Sequence, residues 1–356
     1  SNGDQIIFTD YARTWGTNGI VIDSNGLNYQ GDDDTFDVEY GTDGQSVHII
    51  YSGATKGWIP TIDEAVADVP SKGNDEGIFG FGNTGSKVNM SNLVSNAGVV
   101  ASDTSGVGTA RDSLSSTQYG DDKAIFGFGT TGSVSNLSNL VSNAGVVASD
   151  TSGVGTARYG LGACTYGGDK GIFGYGYSTT QVSMTNLVSN AGVVATDTTG
   201  VGQVRGDMRA TEFGGDKGIF GFGHDGSSYT AVTNLVSNVG VVATDTAGVG
   251  TAREQAAACG YGYDKGIFGF GYDDSDTAIT NLVSNVGVVA ADVAGVGTAR
   301  NGPAATQYGG DKGIFGYGHT SGATAISNLV SNVGVVATDT AGVGTARYRP
   351  GACSYG

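Results

Sequence analysis

The signature GIFGFG, or a close variant, returns six times between Gly77 and the end of the chain. Its first aromatic residue falls at Phe79, Phe126, Phe173, Phe220, Phe268 and Phe315, at intervals of 47, 47, 47, 48 and 47 residues. A second anchor, the arginine of G-T-A-R and its variants, keeps the same step at Arg111, Arg158, Arg205, Arg253, Arg300 and Arg347. A period in the forties, rich in β-formers and glycine, predicts propeller blades of four short strands. A helical array of this period needs long amphipathic segments, and the chain has none.

The 64 glycines are roughly two and a half times the average usage of about 7%. They recur at fixed places in the repeat, so they mark turns and close packing and not a flexible linker. A charged fraction of only 14% and four prolines also argue against disorder. The formal charge of −17 excludes nucleic acid as an expected partner, because phosphate binding needs clustered Lys and Arg. No stretch has the length and apolarity of a membrane span, so no membrane insertion is expected. The chain opens Ser-Asn-Gly without Met, which predicts a native start that lies elsewhere or has been removed.

The copy Thr251–Gly297 reads as TAREQAAACGYG, YDKGIFGFG, a variable loop, AITNLVSN and VVAADVAGVG. Each piece is a β-prone run bounded by Gly, Asn or Asp. Strand alternation predicts Phe268 and Phe270 on one face, with Gly266, Gly269 and Gly271 on or near the other, so that rings of one blade pack on bare backbone of the next. The first copy starts at its second strand, Glu76–Gly82, and the chain ends on an unpaired first strand, Arg347–Gly356. Pairing of Ala352–Tyr355 with Ile78–Phe81, in parallel fashion, is expected to close the ring and leave no inner edge open.

The run R-x4-A-x2-Y-G-G-D-K-G-I-F-G-Y-G, with T-N-L-V-S-N and D-T-x-G-V-G-T-A-R after it, resembles a kelch-type repeat, although the paired glycines and outer-strand Tyr and Trp of that repeat are absent. The expected fold is all-β, a six-bladed β-propeller over 73–356 preceded by a small β domain over 1–72. In that domain QIIF, GIVIDSNGLNYQ, TFDVEYG and SVHIIYSGATKGWIP alternate apolar and polar residues between turns. The segment EYGTDGQSVHIIYSGATKGWIPT, Glu39 to Thr61, running into copies of KGIFGFG, resembles tail-fibre and other virion proteins of marine bacteriophages. The resemblance implies a virion location, other virion proteins and a host cell-surface glycan or protein as partners, and self-association with a trimer as the expected form. Ile6, Ile7, Phe8, Ile49, Ile50, Tyr51 and Trp58 supply apolar surface for it in a segment too short to bury them well alone.

Candidate chemistry is weighed against repetition. Cys164, Cys259 and Cys353 alternate with Thr117, Thr211 and Thr306 at one repeat position. Two blades apart, they are too far for a disulfide, which needs Cα atoms within about 7 Å; half-buried packing and a threefold metal site at the axis stay open. Asp103, Asp150, Asp197, Asp245, Asp292 and Asp339 each precede an arginine by eight residues. Sixfold repetition favours a turn-capping role, with Arg pairing, over a ring of carboxylates. Acidic runs at Asp32–Asp34 and at Asp273, Asp274 and Asp276 are exposed turns or calcium ligands. His48 has no triad partner, and His224 and His319 are expected on solvated loop tips.

Two windows vary on this fixed frame. One follows the arginine (112–115, 159–162, 206–209, 254–257, 301–304 and 348–351); the other follows the second strand, as in 83–87 and 272–276. The kelch-like alignment puts the first window at the mouth of the central channel, where binding residues on a rigid scaffold are found. Tyr159, Tyr348, Arg209, Arg349 and Glu254 are the expected ligand contacts, since matching positions elsewhere are mostly Gly, Ser or Ala. The expected function is a non-enzymatic virion fibre or appendage that displays the propeller for host adhesion, with no catalytic residues, metal or cofactor. The alternatives are a glycan-cleaving depolymerase, for which Glu254 and Asp207 are the carboxylates in the window, and a purely structural capsid or tail decoration.

Overall fold

A computed structural model describes residues 1–31, 38–64 and 75–356. Contacts divide the chain into two compact units, Ser1–Lys72 and Gly73–Gly356. Both are all-β, and among the described residues no helix is long and apolar enough to cross a membrane. The acidic run Asp32–Asp34 lies outside the described residues.

In the first unit Gln5–Thr9, Ser46–Tyr51 and Trp58–Glu64 form an antiparallel sheet, and Ile20–Ile22 pairs with Val38–Tyr40. Alternation along SVHIIY turns Val47 and Ile49 into a core shared with Tyr29 and Tyr40, whose hydroxyls meet at 2.8 Å. Ile49 therefore does not belong to the apolar surface expected for self-association. Phe8 and Trp58 pack half-buried against this core, whereas Ile6 and Ile7 stay 39% and 66% exposed.

The second unit holds six antiparallel sheets of three strands. The second to sixth sheets each use three consecutive strands: Ser115–Tyr119, Lys123–Gly127 and Ser138–Val141; Gly162–Tyr166, Lys170–Gly174 and Thr185–Val188; Arg209–Phe213, Lys217–Gly221 and Thr233–Val236; Ala257–Tyr261, Lys265–Tyr272 and Asp276–Val283; Ala304–Tyr308, Lys312–His319 and Ala323–Val330. The first sheet joins Glu76–Asn83 and Lys87–Val94 to the chain's last strand, Gly351–Tyr355. Ala352 sits opposite Phe79 and Cys353 opposite Ile78, as the repeat phase predicts. The pairing is antiparallel, not parallel, because this strand takes the place of the inner strand in every other sheet.

Four-stranded sheets were expected, and the fourth run does not complete a strand. In the first copy its backbone pairs through two isolated bridges, Val94↔Val100 and Ser91↔Thr104, whose register differs by one residue. That extra residue bulges the chain and aims the Asp103 carboxylate back at the sheet. Asn92 Nδ2 then bonds Ala101 O and Asp103 Oδ1, both at 2.9 Å, and a side chain replaces ladder hydrogen bonds.

The faces of GIFGFG also differ from simple alternation. Phe81, Phe128, Tyr175, Phe222, Phe270 and Tyr317 all have positive φ, between 62° and 64°. In the three sheets with long second strands the register slips around this residue, between Gly80 and Gly82 in the first. The slip sends the second ring to the opposite face: Phe268 meets Phe222 of the sheet before, and Phe270 meets Phe315 of the sheet after, each at 5.1 Å. The left-handed backbone at such a residue costs about 1 kcal/mol or more. An arginine stacked on the ring offsets it, with the Arg111 guanidinium 4.4 Å from the Phe81 centroid and Arg347 3.9 Å from Tyr317.

Glycine lets the sheets approach. A methyl on Gly80 would meet the Phe126 ring at 2.7 Å, and the same holds for Gly127 with Phe173, Gly174 with Phe220 and Gly316 with Phe79. These contacts step from each sheet to the next, and the last returns from the sixth sheet to the first. Backbone bonds follow the same order: Gly120 N–H donates to Asp169 O, Gly309 N–H to Asp75 O and Gly356 N–H to Asp122 O.

Candidate functional site

The six repeated arginines are fully buried and structural. Arg111 donates through Nε to Phe128 O at 2.9 Å and pairs with Asp150 at 3.6 Å. Asp150 also takes the Thr109 N–H and hydroxyl and the Asn139 amide. The carboxylate ring is thus a set of six caps, and the paired arginine is not the one eight residues ahead. It is the one that opens the same sheet, because the Asp points back across the sheet.

The cysteines are free and buried. Cys164 Sγ points at Gly218 and Cys259 Sγ at Gly313, between sheets and not toward a common centre. Burial raises all three thiols, Cys259 to about 12, which opposes the thiolates a metal site needs. Asp273, Asp274 and Asp276 also diverge: Asp274 faces Tyr229 and Asp276 accepts from Asn301. Among the described residues no group of three His, Cys, Asp or Glu side chains is placed to hold a metal.

The two variable windows meet. Each residue after the repeated arginine forms a bridge with the residue that follows the GIFGFG signature: Asp112 with Thr130, Tyr159 with Tyr177, Gly206 with His224, Glu254 with Tyr272, Asn301 with His319 and Tyr348 with Asn83. The next residue, at Ser113, Gly160, Asp207, Gln255, Gly302 and Arg349, has φ between 49° and 62°. These six are chained by main-chain bonds, including Gly160 N–H to Ser113 O, Gln255 N–H to Asp207 O, Gly302 N–H to Gln255 O and Arg349 N–H to Gly302 O. An open mouth was expected here, but the left-handed turns direct the peptide groups at one another, and main chain narrows this end.

Of the five expected contacts, the structure brings four together. Tyr159, Arg209, Glu254 and Arg349 interact electrostatically around Asp207. Burial, followed by the charge of Asp207, raises Glu254 and Tyr159 above their ordinary values, while burial lowers Arg209. Arg209 does not lie on the outer face. It enters the narrow cavity lined by the first strands, where Ser115, Ala257, Ala304 and Gly351 are small, and donates to Met208 O at 2.8 Å. Tyr348 sits apart, edge-on to His319 at 5.1 Å. His224 and His319 are half-buried by such ring contacts and are not solvated tips.

Glu212 was not singled out by the sequence. It occupies the cavity among Gln118, Thr165, Gly260, Gln307 and Ser354. Thr165 Oγ1 donates to its carboxylate, and Gln118 bonds Ser354 and Gln307, so one layer of polar side chains crosses the cavity. Burial raises its pKa, against the opposing hydrogen bonds from Thr165 and Gln307. The clue in the sequence is its place seven residues after Arg205, where other copies have Gln, Thr, Ser or Gly.

Compared with known proteins, the chain matches no protein-family model and no curated protein.

Proposed function

We propose that the six sheets form a closed six-bladed propeller, and that the protein is a non-enzymatic virion appendage which presents one variable face of it to a host surface. The observation that carries this reading is the residue-by-residue pairing of both variable windows on one face of an otherwise repeated frame. Binding residues gather where a rigid scaffold tolerates variation. The virion context comes from the resemblance over residues 39–61 alone. Exposed Ile6 and Ile7 fit self-association through the first unit, with a trimer as the expected form.

The test is binding of the labelled chain to marine bacterial cells, with Tyr159, Tyr348, Arg209, Arg349 and Glu254 all replaced by Ala in a folded variant. At least tenfold weaker binding is expected, and undiminished binding overturns the reading. Imaging of particles places the chain in or outside a fibre.

A second reading has one observation in its favour. Glu254, raised by burial and by Asp207, beside a second carboxylate, is the kind of acid–base pair that glycoside cleavage uses. Release of reducing sugar from a surface polysaccharide, abolished by Glu254→Gln, would establish it in place of simple adhesion.

A further inference from the structure

One copy departs from the 47-residue step, with 48 residues between Phe220 and Phe268. The extra residue falls in the loop after the second strand of the fourth sheet. In the third sheet this loop closes with Tyr177 bridged to Gln181, and in the fourth it closes with His224 bridged to Tyr229. The longer loop delivers a ring that no other copy has there. Tyr229 stands edge-on to His224 at 5.4 Å and to Tyr272 of the fifth sheet at 6.2 Å. All three rings are partly exposed.

Carboxylates surround them. Tyr229 Oη donates to Asp274 Oδ1 at 3.3 Å, and Glu254, bridged to Tyr272, acts on both Tyr229 and His224. Asp207 lies beside Glu254. His224 Nδ1 accepts the Gly226 N–H at 2.9 Å, which fixes the ring beside Tyr229. His224 and Arg349 both act on Glu254 in the direction that favours its carboxylate.

We propose that the His224–Tyr229–Tyr272 cluster is a binding site for an ammonium group carried by the ligand. Electron-rich ring faces attract a cation, and the carboxylates of Asp274 and Glu254 add an attraction that a neutral hydroxyl would not receive. The chain's charge of −17 acts in the same direction, favouring cationic groups and opposing sulfated or carboxylated glycans. The proposal rests on the variable face being the binding face and names the chemistry one sector of it accepts.

The test is calorimetric titration of the full chain at low salt with three probes: choline, a glucosamine oligomer and the matching N-acetylglucosamine oligomer. The two charged probes share the ammonium group and differ in the sugar, so they separate an amino sugar from a simple amine as its source. Choline or the glucosamine oligomer is expected to bind, at least tenfold tighter than the acetylated oligomer. Tyr272→Ala and Asp274→Asn should each weaken binding at least fivefold, and Val333→Thr, at an exposed turn, should not. Equal binding of acetylated and deacetylated oligomers overturns the proposal, as does failure of both charged probes. If cells are still bound, and the fivefold Ala variant still loses that binding, while both charged probes fail, the ammonium site falls and the adhesion reading stands.

Discussion

Arg347 Nη2 donates to Asn92 Oδ1 at 2.7 Å, which ties the last arginine of the chain to the outer strand of the first sheet across 255 residues. Arg111 and Asn139 make the same bond within the second sheet, only 28 residues apart. The contact is local in five copies and long-range in one, so the last copy of the arginine belongs structurally to the first sheet.

Removing this arginine should be costly. It is fully buried, stacks on Tyr317 and lies 3.9 Å from Asp103. Arg347→Ala leaves Asn92 Oδ1 without its donor and Asp103 without its cation, and is expected to lose about 3 to 5 kcal/mol, the usual effect of breaking a buried pair. Urea unfolding measures it, and a loss below about 1 kcal/mol would mean the stacked arginine is dispensable.

Ring-on-glycine packing predicts a contrast between two glycines. A Cβ on Gly174 would sit 2.7 Å from Phe220, while one on Gly322 would meet nothing within 4 Å. Gly174→Ala should destabilise by about 1 to 3 kcal/mol, the range for overpacking. Gly322→Ala should fall within about 0.5 kcal/mol of the parent chain. Thermal denaturation of the two variants decides it.

Periodicity made the six units, their boundaries and the pairing of Ala352 with Phe79 legible, because glycine, aromatic and arginine positions all repeat in one phase. It also pointed to ring-against-glycine packing, through Gly80 and its equivalents. It missed the reversed face of Phe270, because positive φ at a bulky residue runs against local preference and depends on the arginine stacked above it. The missing fourth strand has a similar cause: the Asn92 side chain competes with the ladder, which β-propensity does not register. At the site, Tyr159, Glu254 and Arg349 were legible as departures from the frame. Their clustering with Asp207 required the ring of left-handed turns, and Glu212 was hidden because its position varies in the cavity and not on the face.

Glu212 should make stability depend on pH. Its folded-state value is raised by burial, so the folded chain holds the proton more tightly than the unfolded one. Stability is then lost as pH rises above the ordinary glutamate value of 4.5, until the raised value is passed. Glu212→Gln keeps a hydrogen-bonding group without the charge. The difference in stability between variant and parent should shift in favour of the variant from pH 4 to pH 8. A constant difference across that range would mean that the carboxyl ionises without penalty.

The thiols should be silent until the chain unfolds. Cys164, Cys259 and Cys353 are buried, with raised pKa values. A disulfide-exchange reagent at pH 8 should titrate none of them in the native protein and all three in denaturant. Rapid native labelling of any one would show that its sheet opens locally.

Closure is the claim on which the rest depends, since Tyr348 and Arg349 of the variable face belong to the same terminal segment as the strand paired with Glu76–Gly80. The direct measurement is hydrogen exchange of the Glu76–Gly80 amides in the full chain and in a chain ending at Ala346, with thermal unfolding of both. Truncation is expected to strip protection from this strand and to lower Tm by about 10 °C or more, at roughly 2 to 4 °C per kcal/mol for a large domain. Unchanged protection and Tm in the truncated chain would contradict it.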